Sequence, residues 1–500
     1  MATSQFELAR SAAVLVTSRI ATMLCAWLAE VLLVRLLVPE QWETLSRYLT
    51  VVAVLSTAGQ LGIPDSLLVF AARSPHRRER TRLLLRSLAW LFMVGVVFGS
   101  ALVAFSGALE QALAVSLAGS APWLLAAWIV AELGWSAFVP YLVGGRRVRL
   151  AGLLATLGRL PPGLGLVAAA WLAGTPEQLL LGAASGAFAS LLMGVVLVLP
   201  SRSEATGEGL PVSVSEHAKF VLLLGSSRLI GILNAHLDKL LVMGLVAQAV
   251  HGVYYLGAFE LPLAAILCSA VTSVILPHAI ACWQRGERDA FVALWHVSMR
   301  STALVVYPAL CFAFAFAEPL FATIYGDAYL DAVVPFRIFQ LLLVHRITNY
   351  GLILQAVGNA RAVLAASLVM LSVHAVLGPV LARQLGFVGP AIAAAFSVCV
   401  SSLVTFQALR RSLALSWPRL LPWAFLARTL LVSTVSLVPA WLVTPAQPGP
   451  VATLLALLVY VGTYAGVASW FGVLTRNDWY FVRELVTLRF FASSHRGDGA

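Results

Sequence analysis

Ionisable side chains lie inside apolar runs of this sequence, at spacings that put them on shared helix faces. In "SSRLIGILNAHLDKLLVMGLV", residues 226–246, Arg228 is followed 11 residues later by Lys239, with Asn234, His236 and Asp238 between them. Eleven residues make about three turns of 3.6 residues each, so Arg228 and Lys239 share a face. Arg19 and Glu30 repeat the 11-residue interval early in the chain. An arginine at the bilayer centre costs about 2.5–3.5 kcal/mol on insertion scales, and such residues face a cavity or a partner. The planar guanidinium fork grips phosphate oxygens through paired hydrogen bonds, so two opposed arginines at similar depth suit a diphosphate. Arg19, Arg228, Lys239 and Asn234 are therefore candidate ligands for an anion, with Arg346, near the middle of another apolar run, next in order. The same residues have a structural reading: Arg19 and Arg228 pair with Glu30, Asp238 or backbone carbonyls and lock helices, and Lys239 snorkels to the outer surface.

The acids at similar depth are candidates for gates or coupling groups: Glu30, Asp65, Glu132, Asp238 and Glu260. Asp65, in "LGIPDS", marks an inner gate. Asp238 reads equally as an ion-pair partner or gate and as a substrate contact. Glu132 and Glu260 read either as proton carriers or as neutral acids that hydrogen-bond between helices, the second being the simpler. Arg159, His345 and His374 also lie at depth, His374 as a packing residue, while Arg86 and Arg300 near helix ends reach toward headgroups. Pro64, Pro262 and Pro308 are expected to kink or end their helices. There is no Walker A sequence, no histidine–carboxylate cluster with metal-ligand spacing, and no defensible nucleophile with its base. Neither catalysis nor a cofactor is expected. The five cysteines are scattered, mostly in apolar runs, which argues against a disulfide framework or metal cluster.

The elements that hold these residues are membrane helices. Of the 500 residues, 60% are hydrophobic and 11% charged, with a mean hydropathy of +0.90; soluble domains carry about 25% charge. Apolar runs of spanning length recur about 14 times, from 11–36 to 451–474. No cleavable signal peptide is expected, because Met1–Arg10 is polar and the following run is of full spanning length. The formal charge of +11 comes from one set of alternate loops, including "RSPHRRERTR", "GGRRVR" and "WQRGERD", whereas the opposite loops hold no lysine or arginine. By the positive-inside rule the basic loops and both termini are cytoplasmic, and the charge needs no nucleic acid to explain it.

A Ser/Gly/Glu-rich stretch at 201–219 reads as a cytoplasmic linker between an N-lobe of six spans (1–200) and a C-lobe of six (220–409). Spans 13 and 14 and a cytoplasmic interfacial tail, "RNDWYFVRELVTLRFF", make up 410–500. Two matches relate the lobes. Ser18-Arg19-Ile20 recurs as Ser227-Arg228-Leu229 at an offset of 209, and Arg77-Arg78-Glu79-Arg80 as Arg285-Gly286-Glu287-Arg288 at 208. Six spans per lobe give both the same orientation, with substrate expected between them.

Several stretches carry a resemblance: "RLLVPEQW", "GQLGIPDS", "AHLDKLLVMGL" with "GVYYLGAFELP", "VILPHAI", "EPLFATIYGDAYLDA", "ILQAVGNAR" and "GFVGPAIA". In order and spacing they resemble the polysaccharide (O-antigen type) flippases of the superfamily that also holds the MATE exporters and lipid II flippases. The resemblance implies an all-α, two-lobed, alternating-access transporter in the bacterial inner membrane. It would move an undecaprenyl-diphosphate-linked oligosaccharide outward, with glycosyltransferases and a glycan polymerase of the same pathway as partners. It also implies that Arg19 and Arg228 take the family's cavity arginine role. Glu43, where a glycine is expected after "PEQW", and Pro390, where a small residue is expected after "GFVG", depart from the pattern. Two alternatives remain: a MATE-like small-molecule antiporter, which needs an acidic cavity, and an integral-membrane glycan polymerase or ligase, which needs a sizeable outer loop.

Overall fold

The computed structural model describes residues 2–474 apart from 75, 114–116, 118, 173, 200–212, 247–249 and 446–448. The tail expected as an interfacial helix and most of the linker lie outside the described residues. By packing contacts the chain divides into two compact units, Met1–Gly252 and Val253–Ala500. This cut falls after the seventh expected span, whereas the sequence suggests one at the linker.

The first unit contains α1 (Ala2–Leu36), α2 (Pro39–Gly59), α3 (Ile63–Arg73), α4 (Arg77–Ala104), α5 (Ser106–Leu113), α6 (Ala121–Trp135), α7 (Phe138–Gly144), α8 (Val148–Leu157), α9 (Leu160–Leu172), α10 (Pro176–Val198) and α11 (Val214–Leu245). Prolines stand at the first turns of α2, α3, α6 and α10, where a missing N–H costs nothing. Thr175 and Gln178 close a capping box at the start of α10. Helix α1 packs on α8 and α9, α9 on α10, α6 on α10 and α4, and α11 on α2, α3 and α5. The α9–α10 contact depends on glycine: a Cβ on Gly165 would lie 2.1 Å from the Gly182 carbonyl oxygen. Small residues serve this purpose where membrane helices touch backbone to backbone.

The second unit follows with α12 (His251–Gly257, which begins in the first), α13 (Pro262–Gln284), α14 (Arg288–Ala315), α15 (Ala317–Ile324), a 3-10 turn (Asp327–Ala332), α16 (Val333–Leu341), α17 (Leu343–Arg346), α18 (Tyr350–Ala356), α19 (Ala360–Leu385), α20 (Val388–Leu413), α21 (Trp417–Leu420), α22 (Trp423–Val435), α23 (Leu437–Leu442) and α24 (Pro450–Trp470). Its core is built on α14, whose Phe291, Trp295, Met299 and Tyr307 are buried. Spans 13 and 14 are integral to it. The Tyr460 hydroxyl of α24 bonds the carbonyls of Pro308 and Ser433 at 3.0 Å each, and Leu426, Leu437 and Ala456 join the same core. Pro64 and Pro262 begin helices, as expected of breakers, but Pro308 lies inside α14 without ending it.

The chain is an all-helical polytopic membrane protein. Among the described residues, 10 helical segments are long and apolar enough to cross a membrane, or 11 if the bent pair α2–α3 is one span. The other three expected spans fall on α1, α11 and α13, of 35, 32 and 23 residues.

Candidate functional site

The expected second span is broken. Helices α2 and α3 meet at 42°, across Gln60, Leu61 (φ +46°) and Gly62 (φ +79°). One face of α11 lies against this break. His217, Val221, Gly225, Arg228 and Ile232 follow one another at intervals of three and four residues, which is a single helix stripe. At its start, His217 is fully buried, bonded through Nε2 to the Ser66 hydroxyl at 2.7 Å and stacked on Trp90. Two turns on, Gly225 presses on the break itself; a Cβ there would stand 2.6 Å from the Leu61 carbonyl oxygen.

That close approach brings Arg228 onto the break. Its Nε lies 2.7 Å from Asp65 Oδ2, its Nη2 donates to Asp65 Oδ1 at 3.1 Å, and its Nη1 donates to Gln60 Oε1 at 3.0 Å. Asp65 occupies the first turn of α3, where the helix dipole favours a carboxylate. The arginine is thus paired, as the structural reading requires, but with Asp65 instead of Asp238. The pair is not sealed: the two side chains are 37% and 38% exposed. Exposed pairs are worth about 0–1 kcal/mol, whereas losing one partner of a buried pair costs about 3–5 kcal/mol. A weak, accessible, bidentate pair is one that an incoming dianion can displace. Beside it, a side chain built on Gly231 would meet nothing within 4 Å.

Toward the other end of α11, Lys239 Nζ lies 3.7 Å from the buried carboxylate of Asp238, and Glu30 of α1 is within electrostatic reach of Lys239. Asn234 is half-buried one turn before Asp238. On α1, Ser18 faces α8, its carbonyl accepting from Thr156 Oγ1 at 3.4 Å. The adjacent Arg19 is exposed, with no ion-pair partner among the described residues. Arg19 and Arg228 therefore ride on helices with different packing partners.

The acids on the other helices are also paired. Glu132 pairs with Arg159, and Glu260 accepts from Arg346 Nε and Nη2 at 2.8 Å each. Each faces a guanidinium, a partner the sequence did not name for either. Their partners lie 27 and 86 residues away in sequence, so only the fold brings them together. Arg346 also lines, with Asn349, Tyr350 and Gly351, a cavity of about 230 Å3 in the second unit, beside the positive φ of Asn349 (+45°).

Sequence reasoning missed a buried cluster near the start of α2. Glu43 accepts from Arg47 Nε and Nη2 at 3.0 and 2.7 Å, and from the backbone N–H groups of His251 and Gly252. His251 lies between Ser46 Oγ (2.9 Å) and Thr50 Oγ1 (3.4 Å), and Trp42 Nε1 donates to the Gly252 carbonyl at 3.1 Å. Burial first, then Arg47 and Lys239, hold the His251 imidazole well below its ordinary range, so it is neutral at pH 7. The signal was the departure at Glu43, where a glycine could neither cap the 251–252 turn nor neutralise Arg47.

A family model described as polysaccharide biosynthesis protein matches residues 32–334, more than half of the chain. Among solved structures, the chain is similar to a lipid II flippase MurJ in an inward closed conformation. The TM-score is 0.70 at 12% identity, over 90% of this chain and 98% of that one. It is also similar to an inward-facing multidrug resistance MATE family transporter of the MOP superfamily (TM-score 0.60, 14% identity, 77% and 93% covered). A third is a MOP superfamily transporter from Pyrococcus furiosus (0.56, 12%, 81% and 96%). Identities this low speak for the fold alone. No curated protein matches the chain by sequence. On the extent of the family match, the chain belongs to the polysaccharide biosynthesis protein family, and its fold is that of the MOP-superfamily transporters.

Proposed function

We propose that the chain is a flippase. It moves an undecaprenyl-diphosphate-linked oligosaccharide from the cytoplasmic to the outer leaflet by alternating access, making and breaking no covalent bond. The observation that carries this reading is Arg228: a guanidinium at membrane depth, oriented by Asp65 and Gln60 yet more than a third exposed. In this reading Asp65 holds the fork until the diphosphate takes its place, and acts as a gate. Arg19 supplies a second guanidinium, and Lys239, Asn234 and Arg346 meet the headgroup at other stages. Glu30 and Asp238 hold or release Lys239 and Glu260 holds or releases Arg346 as helices move, while Glu132 does the same for Arg159.

Family membership supports a role in polysaccharide production, and the transporter fold favours transport over synthesis. A cation antiporter needs uncompensated acid, whereas Asp65, Glu132, Asp238 and Glu260 each lie beside a cation. The physical task is to take a polar headgroup past about 30 Å of hydrocarbon. With the cytoplasm negative, outward movement of an anion is favoured by about 2.3 kcal/mol per charge per 100 mV. The site lies in the inner membrane, with the arginine-rich ends and both termini cytoplasmic, alongside the pathway's glycosyltransferases and polymerase. Arg228→Ala and Arg19→Ala are expected to abolish surface glycan while the protein still inserts; normal glycan display in both overturns the assignment.

A further inference from the structure

A second arginine-lined cavity lies in the first unit, and it shares no lining residue with the Arg228 contacts. It takes in about 300 Å3 between Arg80, Tyr141, Leu142, Gly145, Arg147 and Val198, where the arginine-rich starts of α4 and α8 meet the ends of α7 and α10. The turn that builds it is "GGRRVR". Gly144 ends α7 where a Cβ would stand 2.6 Å from the Leu68 carbonyl oxygen, so the helix end lies directly on the α3 backbone. Arg147 N–H then donates back to the Leu142 carbonyl at 2.8 Å, a six-residue closure that needs a left-handed residue just before it. That residue is Arg146, at φ +60°. A non-glycine residue there costs about 1–3 kcal/mol. The turn folds Arg147 back over the end of α7. From α4, the Arg80 guanidinium reaches over Gly145, with Nη1 3.8 Å from where a Cβ would be. Neither Arg80 nor Arg147 has a carboxylate partner among the described residues. Two guanidiniums and a tyrosine ring around one small cavity, at the level where helices leave the membrane, are the chemistry that recognises a phosphate ester.

We propose that this cavity binds a phosphate group, carried by the headgroup of an anionic membrane lipid or free in the cytoplasm, as a site separate from the transport path. Leu142 and Val198 give it the apolar wall that a lipid's glycerol end would meet. The test uses the purified full chain in vesicles of phosphatidylcholine containing spin-labelled phosphatidylglycerol or spin-labelled phosphatidylcholine. The chain is expected to immobilise labelled phosphatidylglycerol in preference. Arg80→Gln and Arg147→Gln should each weaken that preference about fivefold. The double lysine variant, which keeps both charges, should retain more than the double glutamine variant. Arg149→Gln, exposed on α8 outside the cavity, should have a smaller effect than either. Inorganic phosphate is added in a second arm. If it displaces the label, or binds where the lipid does not, the source includes free phosphate; if it does neither while the lipid preference holds, the source is lipid. No preference for phosphatidylglycerol together with no phosphate binding overturns the site, as does an Arg149→Gln loss equal to that of Arg80→Gln.

Discussion

Arg228 is held by geometry as much as by charge, and that separates two variants which charge alone would treat alike. Arg228→Lys keeps the cation but cannot span both Asp65 oxygens and Gln60 Oε1 at once. Nor could it grip two diphosphate oxygens at once, and a charge-assisted hydrogen bond to the substrate is worth about 1.5–3 kcal/mol, so the lysine variant is expected to lose tenfold or more of glycan display in a complementation assay. Near-normal display would mean that a point charge suffices and the fork is irrelevant. Glu43 makes a different prediction, one of stability. Arg47 is 3% exposed, so Glu43→Ala removes the carboxylate from a buried ion pair and should destabilise the protein by about 3–5 kcal/mol, read as a lowered unfolding midpoint in detergent. An unchanged midpoint would show that the cluster is not coupled to folding. His251 adds a pH dependence. Its imidazole is neutral when folded and takes a proton near pH 6.5 when unfolded. The unfolded state therefore binds more protons in acid, and stability should fall as pH drops below about 6.5. His251→Gln should flatten that slope.

Among the elements, the contact of α11 with the α2–α3 break decides where Arg228 points. Gly225→Val would drive a side chain into the Leu61 carbonyl, 2.6 Å from the built Cβ, and part Arg228 from Asp65; Gly231→Ala adds a methyl to open space. The first should insert but fail to display glycan, and the second should behave as wild type. Equal activity of both would mean the approach of α11 to the break is unimportant. Much of this element plan was legible. Apolar runs placed the helices because a bilayer demands full-length apolar segments, and the repeated arginine motifs hinted at a doubled architecture. A 28-residue helix followed after one residue by an eight-residue helix does occur twice, as α4–α5 and α14–α15. Pairings between spans were not legible. Asp65 and Arg228 are 163 residues apart, and helix periodicity says which face a residue is on, not which helix that face meets. The break at 60–62 was legible only in part: Pro64 marked a kink or helix end there, while the hydropathy of the run continues across it.

For the whole molecule, the asymmetry of loop charge predicts sidedness. In a chain whose five native cysteines are replaced by serine, Gln284→Cys should react with a membrane-impermeant thiol reagent only after the membrane is opened, and Gly449→Cys from outside. The reverse pattern would invert the topology and, with it, the direction of transport. The most direct test of the central claim is a flipping assay. The purified protein is placed in vesicles with a fluorescent undecaprenyl-diphosphate oligosaccharide, and transfer between leaflets is followed by loss of protection from an added sugar-modifying reagent. Wild type should transfer the lipid and Arg228→Ala should stay near the protein-free rate. Equal transfer by wild type and Arg228→Ala would contradict the account.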